Sequence, residues 1–313
     1  MSFALLAASA ALGTFAGVTA LGSLVARALA GRVGDGDRDP AGSARRLFAL
    51  RTLPSLLGLA SACGVALPAF VLYEPRGALE APGWTFVLLA IAGAVAIAGG
   101  LRRALRDWWA TRRLRREWTR QGAPLTLAGA PAPAYRIRHP FPVVTVVGIL
   151  RPRLFVAEQV IERLSGPELA AVLAHEQGHV SARDNLKRIA LRLAPALWAP
   201  EARRLEERWE QAAEEAADDG GGLELAAALV KTARLASAGS RIDVPAAAFH
   251  RGGALARRVR RLTEARPSAP GPPRSRGAIS WIVLAAAVVG ALAWSLASLA
   301  PVHGLIERVV HLP

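Results

Sequence analysis

The chain has 313 residues, 52% of them hydrophobic, and a formal net charge of +15. An ordinary soluble domain does not combine these two properties, so the apolar and basic residues must occupy separate stretches, as in a membrane protein with charged loops. Because Cys63 is the only cysteine, an intrachain disulfide and a cysteine-rich zinc site are excluded, and any metal must be bound by histidine and carboxylate groups.

Four apolar stretches lack Asp, Glu, Lys and Arg, and each is long enough to cross roughly 30 Å of hydrocarbon as a helix. They predict transmembrane helices at about residues 3–26, 52–73 and 81–101, and a fourth from residue 277 to about 305. The first stretch also resembles a cleaved signal peptide, but no basic residue precedes it, which favours an uncleaved span. We therefore expect a membrane domain at 1–101, a second domain at 102–276, and a last span with a short tail at 277–313.

Arginines are concentrated in the loops that follow the first and third spans and in the segment that leads into the fourth. The positive-inside rule places these loops in the cytoplasm. The sequence thus predicts a multi-pass protein of the cell membrane, with both termini outside and residues 102–276 cytoplasmic beside the lipid bilayer. The arginines are typical of membrane anchors, and no nucleic-acid partner is expected because no nucleic-acid-binding pattern is present.

The sequence as a whole predicts a mainly α membrane protein. The central region, between the third and fourth spans, is predicted to form an α+β domain. Residues 107–121 have the pattern of a basic helix, and 135–138, 143–147 and 154–157 that of short β-branched strands. Ser165 and Glu168 have the spacing of a capping box that opens a helix. A further helix is expected at about 201–219, where three glycines follow, and residues 267–273 form a proline-rich linker.

The helix opened by Ser165 contains His175-Glu176-Gln177-Gly178-His179, an HExxH motif. Residues four apart lie on one helical face, so both imidazoles can reach one ion, while Glu176 can contact a water beside it. This is the arrangement of zinc hydrolases, with two histidine ligands and a glutamate general base. Gly178 costs helix stability unless another element packs closely against it.

A catalytic zinc needs a third protein ligand, and the helix at 201–219 offers acidic candidates. Glu210, Glu214 and Asp218 are spaced on one face, where their like charges repel one another unless a cation binds there. The alternative is an acidic helix end exposed to solvent and paired with nearby arginines.

At these residues the chain resembles the integral membrane metallopeptidases of the gluzincin type, and most closely the BlaR/MecR family. The resemblance covers about residues 143–219, with a weaker similarity to residue 262 around Arg258. It includes the segment from His175 to Asn185 and the E-x-x-A-D pattern from Glu214 to Asp218. The resemblance implies Zn²⁺ as cofactor, His175, His179 and Glu214 as its ligands, Glu176 as the catalytic base, and Asp218 as a carboxylate that orients a ligand histidine.

The implied function is hydrolysis of peptide bonds in a protein substrate, either a cytosolic regulator, as in signal transduction, or a membrane protein. We expect no external penicillin-binding sensor domain, because only a short tail follows the last span. The HtpX and CAAX-prenyl peptidases share the motif and a similar third-ligand pattern, so membrane protein quality control or processing is an alternative. Two rivals are not enzymes: a membrane signalling scaffold without catalysis, and a basic membrane-surface adaptor for anionic lipid or nucleic acid. The sequence predicts no oligomeric state.

Two further features of the reaction are predicted. A Tyr, His or Arg should stabilise the oxyanion, and Tyr135, His139 and His250 are the candidates. The strand at 143–147 can bind an extended substrate by β-addition, which gives affinity with little sequence preference.

Overall fold

The structure, a computed structural model, describes residues 3–33, 39–73, 83–239 and 252–264. The helices in these ranges are α1 (Phe3–Ala30), α2 (Pro40–Ser61), α3 (Leu67–Tyr73), α4 (Trp84–Gln121), α5 (Glu158–Arg163), α6 (Gly166–Ala182), α7 (Asp184–Leu193), α8 (Ala199–Ala217), α9 (Gly222–Gly239) and α10 (Gly252–Glu264). The strands are β1 (Ala123–Leu125), β2 (Ala134–Ile137), β3 (Val144–Val147) and β4 (Arg153–Ala157).

Three helical stretches within the described residues are long and apolar enough to cross a membrane: Phe3–Ala30, Pro40–Tyr73 and Trp84–Gln121. Only 28% to 39% of the residues in their most apolar windows are buried inside the protein. Large side chains such as Leu21, Leu72 and Val95 are exposed, as expected of helices that face lipid. The predicted fourth span and the proline-rich linker lie outside the described residues.

The second and third spans are longer than the sequence predicts. Asp39 caps α2 by accepting a hydrogen bond from the Gly42 amide at 2.8 Å, so the helix begins well before its apolar stretch. A π-helical turn at Ala62–Ala66 joins α2 to α3 just before Pro68, which has no amide hydrogen to donate. The third span continues without a break into the predicted basic helix, because the change there is in polarity and not in helix propensity.

The four strands form one sheet in the order β1-β2-β4-β3. β2 and β4 are parallel, whereas the β1–β2 and β3–β4 pairs are antiparallel, so β3 is an edge strand. One face of the sheet packs on α6 and α9 through Leu154, Leu173 and Ala228. The other face carries Phe155 and packs on Trp118 of α4. The three predicted strands are confirmed within one or two residues, whereas β1 was not predicted.

A second hydrophobic cluster joins the hairpin of α1 and α2 to α8. Leu47 of α2 and Leu205, Trp209 and Ala213 of α8 are buried in it. On the other side of α6, Lys231 of α9 forms an ion pair with the start of α6. Its Nζ lies 2.7 Å from the Glu168 carboxylate. The membrane helices and the central region therefore share packed surface along α8.

Candidate metal centre

The HExxH motif lies on α6, as the sequence predicts. Ser165 and Glu168 form the capping box at its start, and the Glu168 carboxylate accepts a hydrogen bond from the Ser165 amide at 2.8 Å. His175 and His179 are one turn apart on the same face, and their Nε2 atoms lie 3.2 Å from each other. The helix alone therefore brings two imidazole nitrogens to one point.

The third member of the cluster comes from α8. Glu214 places Oε2 at 3.7 Å from His175 Nε2 and Oε1 at 3.4 Å from His179 Nε2. The two helices approach closely because Gly178 faces Ala217, and a Cβ at Gly178 would lie 3.2 Å from the Ala217 Cα. Glu210, one of the three acidic candidates on this face, is exposed and is not part of the group.

The chemistry and spacing of these three groups fit a zinc ion. One donor atom from each of His175, His179 and Glu214 can be chosen so that all lie within 4.8 Å of one another. Tetrahedral zinc with bonds of about 2.0–2.1 Å would hold its donors about 3.3 Å apart, close to the observed spacing. The residues present therefore fit Zn²⁺.

Each histidine has a carboxylate beside its other ring nitrogen. The Nδ1 of His175 lies 2.9 Å from Oδ1 of Asp218, which is fully buried. The Nδ1 of His179 lies 2.7 Å from Oδ2 of Asp184. Carboxylates in these positions fix the ring orientation and leave Nε2 as the metal-binding nitrogen.

A left-handed residue gives Asp184 its position. Arg183 ends α6 with φ of 56°, a conformation that non-glycine residues seldom adopt. The chain turns there and α7 begins at once, so Asp184 is directed back toward His179. Strained backbone of this kind is typical of functional sites.

Arg258 of α10 connects the acidic groups of α8. Its Nε and Nη2 lie 2.8 and 2.7 Å from the two Asp218 oxygens, and its Nη1 lies 3.1 Å from Glu214 Oε2. A planar guanidinium suits this two-point contact with a carboxylate. Arg188 of α7 also lies near Glu214, with Nη2 at 3.7 Å from Oε1, and is nearly half exposed.

The electrostatics of the cluster favour ionised carboxylates. Burial opposes ionisation of Glu214, but His179 and Arg258 outweigh it and lower the pKa of Glu214 to about 2. Burial also opposes protonation of His179, yet its contacts with Asp184 and Glu214 raise its pKa to about 9. For Asp184 and Asp218, burial is again outweighed by the histidine that each contacts, and the pKa of both carboxyls is lowered. The cluster of carboxylates thus attracts a cation.

Glu176 lies beside the cluster and contacts the edge strand. It is 9% exposed, and its Oε2 accepts a hydrogen bond from the Val146 amide of β3 at 3.0 Å. Burial raises the pKa of Glu176, although His175, His179 and the amide oppose that effect. A carboxylate with a raised pKa next to a metal position can act as a general base near neutral pH.

Asn185 holds the same strand from α7. Its Nδ2 donates to the carbonyl oxygens of Val146 at 3.0 Å and of Gly148 at 3.1 Å. The sequence pointed to Asn185 and Asp184 only through a family resemblance, which gave neither a role. The signal available was their position directly after the motif, where a helix end can bring polar groups back to the histidines.

The two candidates for oxyanion stabilisation that lie within the described residues are not at the cluster. Tyr135 stacks on Phe155, and His139 contacts Trp118, both on the sheet face away from α6. Alternation along β2 directs Tyr135 to that face, which a sequence without known strand pairing does not reveal. His250 lies outside the described residues.

Comparison with protein families adds an independent finding. Residues 145–241 match the model of Peptidase family M48, a region that contains the motif, Glu214 and Asp218. The chain is a metallopeptidase. The match supports the M48 metallopeptidase family and does not single out the BlaR/MecR type that the sequence resembles. Comparison with curated proteins and with solved structures gives no match.

Proposed function

We propose that the protein is an integral membrane zinc endopeptidase that uses His175, His179 and Glu214 to hold zinc. One observation carries the proposal: two imidazoles from α6 and a carboxylate from α8 converge at zinc-ligand spacing. The family match over the same residues supports peptide-bond hydrolysis. The three apolar helices support a membrane location.

The reaction requires a base, oriented ligands and a bound peptide. A zinc ion held here would polarise the scissile carbonyl and lower the pKa of a water ligand from ~15.7 to ~7. Glu176 accepts the proton of the attacking water and delivers it to the leaving amine. Asp218 and Asp184 keep the two imidazoles in the orientation that leaves both Nε2 atoms directed at the metal.

The edge of β3 provides a place for an extended substrate. The Ala157 amide donates to the Val143 carbonyl, so the alternate residues Val144 and Val146 direct their amides and carbonyls away from β4. The Val146 amide already donates to Glu176, and the Val146 carbonyl already accepts from Asn185. A peptide that adds to this edge would pair with Val144 first and then compete with Glu176 for the Val146 amide. The part of β3 that is open to a substrate is therefore shorter than residues 143–147, the stretch that the sequence predicts for substrate binding.

The substrate is proposed to be a segment in extended form beside the membrane. The protein that carries it is either a cytosolic regulator, as in BlaR/MecR-type signalling, or a membrane protein, as for the HtpX and CAAX-prenyl peptidases. The arginine-rich loops support a cytoplasmic catalytic region with both termini outside. Cysteines introduced between residues 102 and 276 should resist an impermeant thiol reagent in intact cells, and their rapid labelling would refute this orientation.

The experiment that tests the function is Glu176→Gln in the full chain, reconstituted in lipid vesicles. The substitution keeps the shape of the side chain but removes the base, so we expect unchanged zinc content and a loss of cleavage of about 10²–10⁴-fold. Zinc is measured by elemental analysis, and cleavage with a mixture of quenched fluorescent peptides and an unfolded protein. Glu162→Gln, at an exposed position of α5, is the matched control and should behave as the wild type.

The outcomes separate the proposal from its rivals. Cleavage that survives Glu176→Gln would exclude the proposed base. A wild-type protein that binds zinc but cleaves no peptide in the mixture would favour the signalling scaffold. Binding to anionic vesicles that is steeply salt-dependent, without zinc or cleavage, would favour the basic adaptor.

A further inference from the structure

The position of α8 is not fixed by the chain that leads into it. Residues 194–198 connect α7 to α8 without regular secondary structure. On one side of this connection a cavity of about 200 Å³ lies between it and α1 and α2, and across it the Ser55 hydroxyl of α2 donates to the Pro195 carbonyl at 3.0 Å. Apolar packing on that side is therefore incomplete, and the position of α8 along its axis depends on its polar contacts with α2 and α7. Yet Glu214 must reach the two histidines to within a fraction of an ångström.

Arg51 of the membrane helix α2 lies where α7 ends and α8 passes. Its side chain is only 4% exposed, and Nε and Nη2 lie 3.1 and 3.0 Å from Oε1 of Glu206 on α8. Nη2 also donates to the Leu191 and Ala194 carbonyls, at 3.3 and 3.0 Å. The Leu191 carbonyl belongs to the last turn of α7 and the Ala194 carbonyl to the residue that follows it, where no helical amide is available to bind them. One buried guanidinium thus joins two helices of the peptidase region to a membrane helix.

The two helices joined by Arg51 carry the groups that complete the metal centre. α7 begins with Asp184, which holds His179. α8 carries Glu214 and leads to Asp218, which holds His175. Glu206 precedes Glu214 on α8 by about 12 Å along the axis, since a helix rises ~1.5 Å per residue. A shift of α8 at Glu206 is transmitted to Glu214 because a helix is stiff along its axis.

Other contacts along α8 act in the same direction. Arg208 donates to the carbonyls of Ala30 and Val33 at the end of α1, and Arg192 of α7 binds the second oxygen of Glu206 at 2.8 Å. Packing of Leu205 and Trp209 against the hairpin sets the lateral position of α8. Apolar packing is non-directional, whereas the guanidinium of Arg51 makes directional contacts with one oxygen of Glu206 and with two carbonyls at the end of α7.

We propose that Arg51 is a positioning residue for the metal centre: from a membrane helix, it sets the register of α8 so that Glu214 meets His175 and His179. The inference rests on the proposed zinc site but concerns a residue remote from it. In this proposal the α1–α2 hairpin is part of the peptidase, because the position of its helices affects the affinity of the site for metal. Movement of α2 relative to α7 would change the zinc site before any contact with the substrate.

The test compares zinc binding with folding in the purified full chain. Arg51→Met removes the fork while Glu206 keeps Arg192, so no charge is left without a partner. We expect zinc affinity, from competition with a chromogenic chelator below the unfolding temperature, to fall by about tenfold or more, as for other groups that orient metal ligands. The increase in Tm on adding zinc should shrink accordingly. Arg51→Lys keeps the charge without the fork and should restore part of the affinity.

The matched control is Arg45→Met on the same helix. Arg45 is nearly half exposed and lies 4.0 Å from the exposed Asp39, so its loss should change zinc affinity by less than about twofold. Glu206→Gln tests the same contact from α8 and serves if Arg51→Met does not fold. It should weaken zinc binding in the same direction.

The outcomes are distinct. Wild-type zinc affinity in folded Arg51→Met and Glu206→Gln, with Tm lowered equally with and without zinc, would overturn the inference, because the contact would then only stabilise the fold. Weaker zinc binding in both, with the control unchanged, would support it. A wild-type protein that binds no zinc would overturn the proposed function itself, which the variants alone do not address.

Discussion

The helices α6 and α8 supply the same metal centre in different ways. α6 brings His175 and His179 together through helical spacing alone, and any stable helix with this sequence would do so. α8 supplies Glu214 from a distance, and its position depends on Gly178, on the packing of Trp209, and on Arg51 of a membrane helix. The site thus has a part fixed locally and a part fixed by tertiary structure.

The same contrast holds for the groups that orient the histidines. His179 is held by Asp184, which follows directly after α6 at the left-handed Arg183. His175 is held by Asp218, which is remote in sequence, fully buried and bound by Arg258 of α10. Disturbing the fold should therefore affect the His175 side and Glu214 before it affects the His179 side.

The largest loss of zinc affinity should come from removing Glu214, the metal ligand that α8 supplies. Glu214→Ala removes the carboxylate from the cluster, and we expect zinc affinity to fall more than about 100-fold, beyond the loss for an orienting group. Cleavage should be lost with the metal. Glu210→Ala, one turn earlier and exposed, is the control and should keep both zinc and activity. Zinc retained by Glu214→Ala would show that α6 binds the ion without α8.

A smaller effect should come from the orienting carboxylates, and it should differ between them. Asp218→Asn weakens the hold on His175 and also deprives Arg258 of an ion-pair partner, so we expect a loss of zinc affinity near the upper end of the ~10–100-fold range. Asp184→Asn affects His179 and a lysine contact near the surface, and its loss should lie near the lower end. Chelator competition measures both. Equal losses would contradict the difference between the local and the remote side.

The features that the sequence predicted are those set by local patterns. The capping box and the motif on α6, the strands β2, β3 and β4 and the helical nature of three apolar stretches each follow from periodicity or spacing within one element. Helix ends were less well predicted, because α2 begins at a cap far from its apolar part and α4 has no breaker where its polarity changes. β1 is too short to show alternation.

The features that could not be predicted depend on which elements meet. Tyr135 faces away from the cluster because of strand pairing, and Glu176 and Asn185 meet at Val146 because β3 is an edge strand. Arg51 is one of many arginines in a loop that predicts only a membrane anchor, and its burial against α7 and α8 has no signature in the sequence. Glu214 was predicted through a family resemblance, since helical spacing alone left three acidic residues open.

Zinc-edge X-ray absorption of the full chain loaded with one equivalent of zinc tests the central claim most directly. We predict two imidazole nitrogens at about 2.0–2.1 Å, with oxygen ligands completing a four-coordinate shell. Glu176→Gln should leave those two nitrogens in place, and Glu214→Ala should change the oxygen part of the shell. A spectrum with fewer or more than two imidazoles, or one that Glu214→Ala leaves unchanged, would contradict a metal centre shared by α6 and α8.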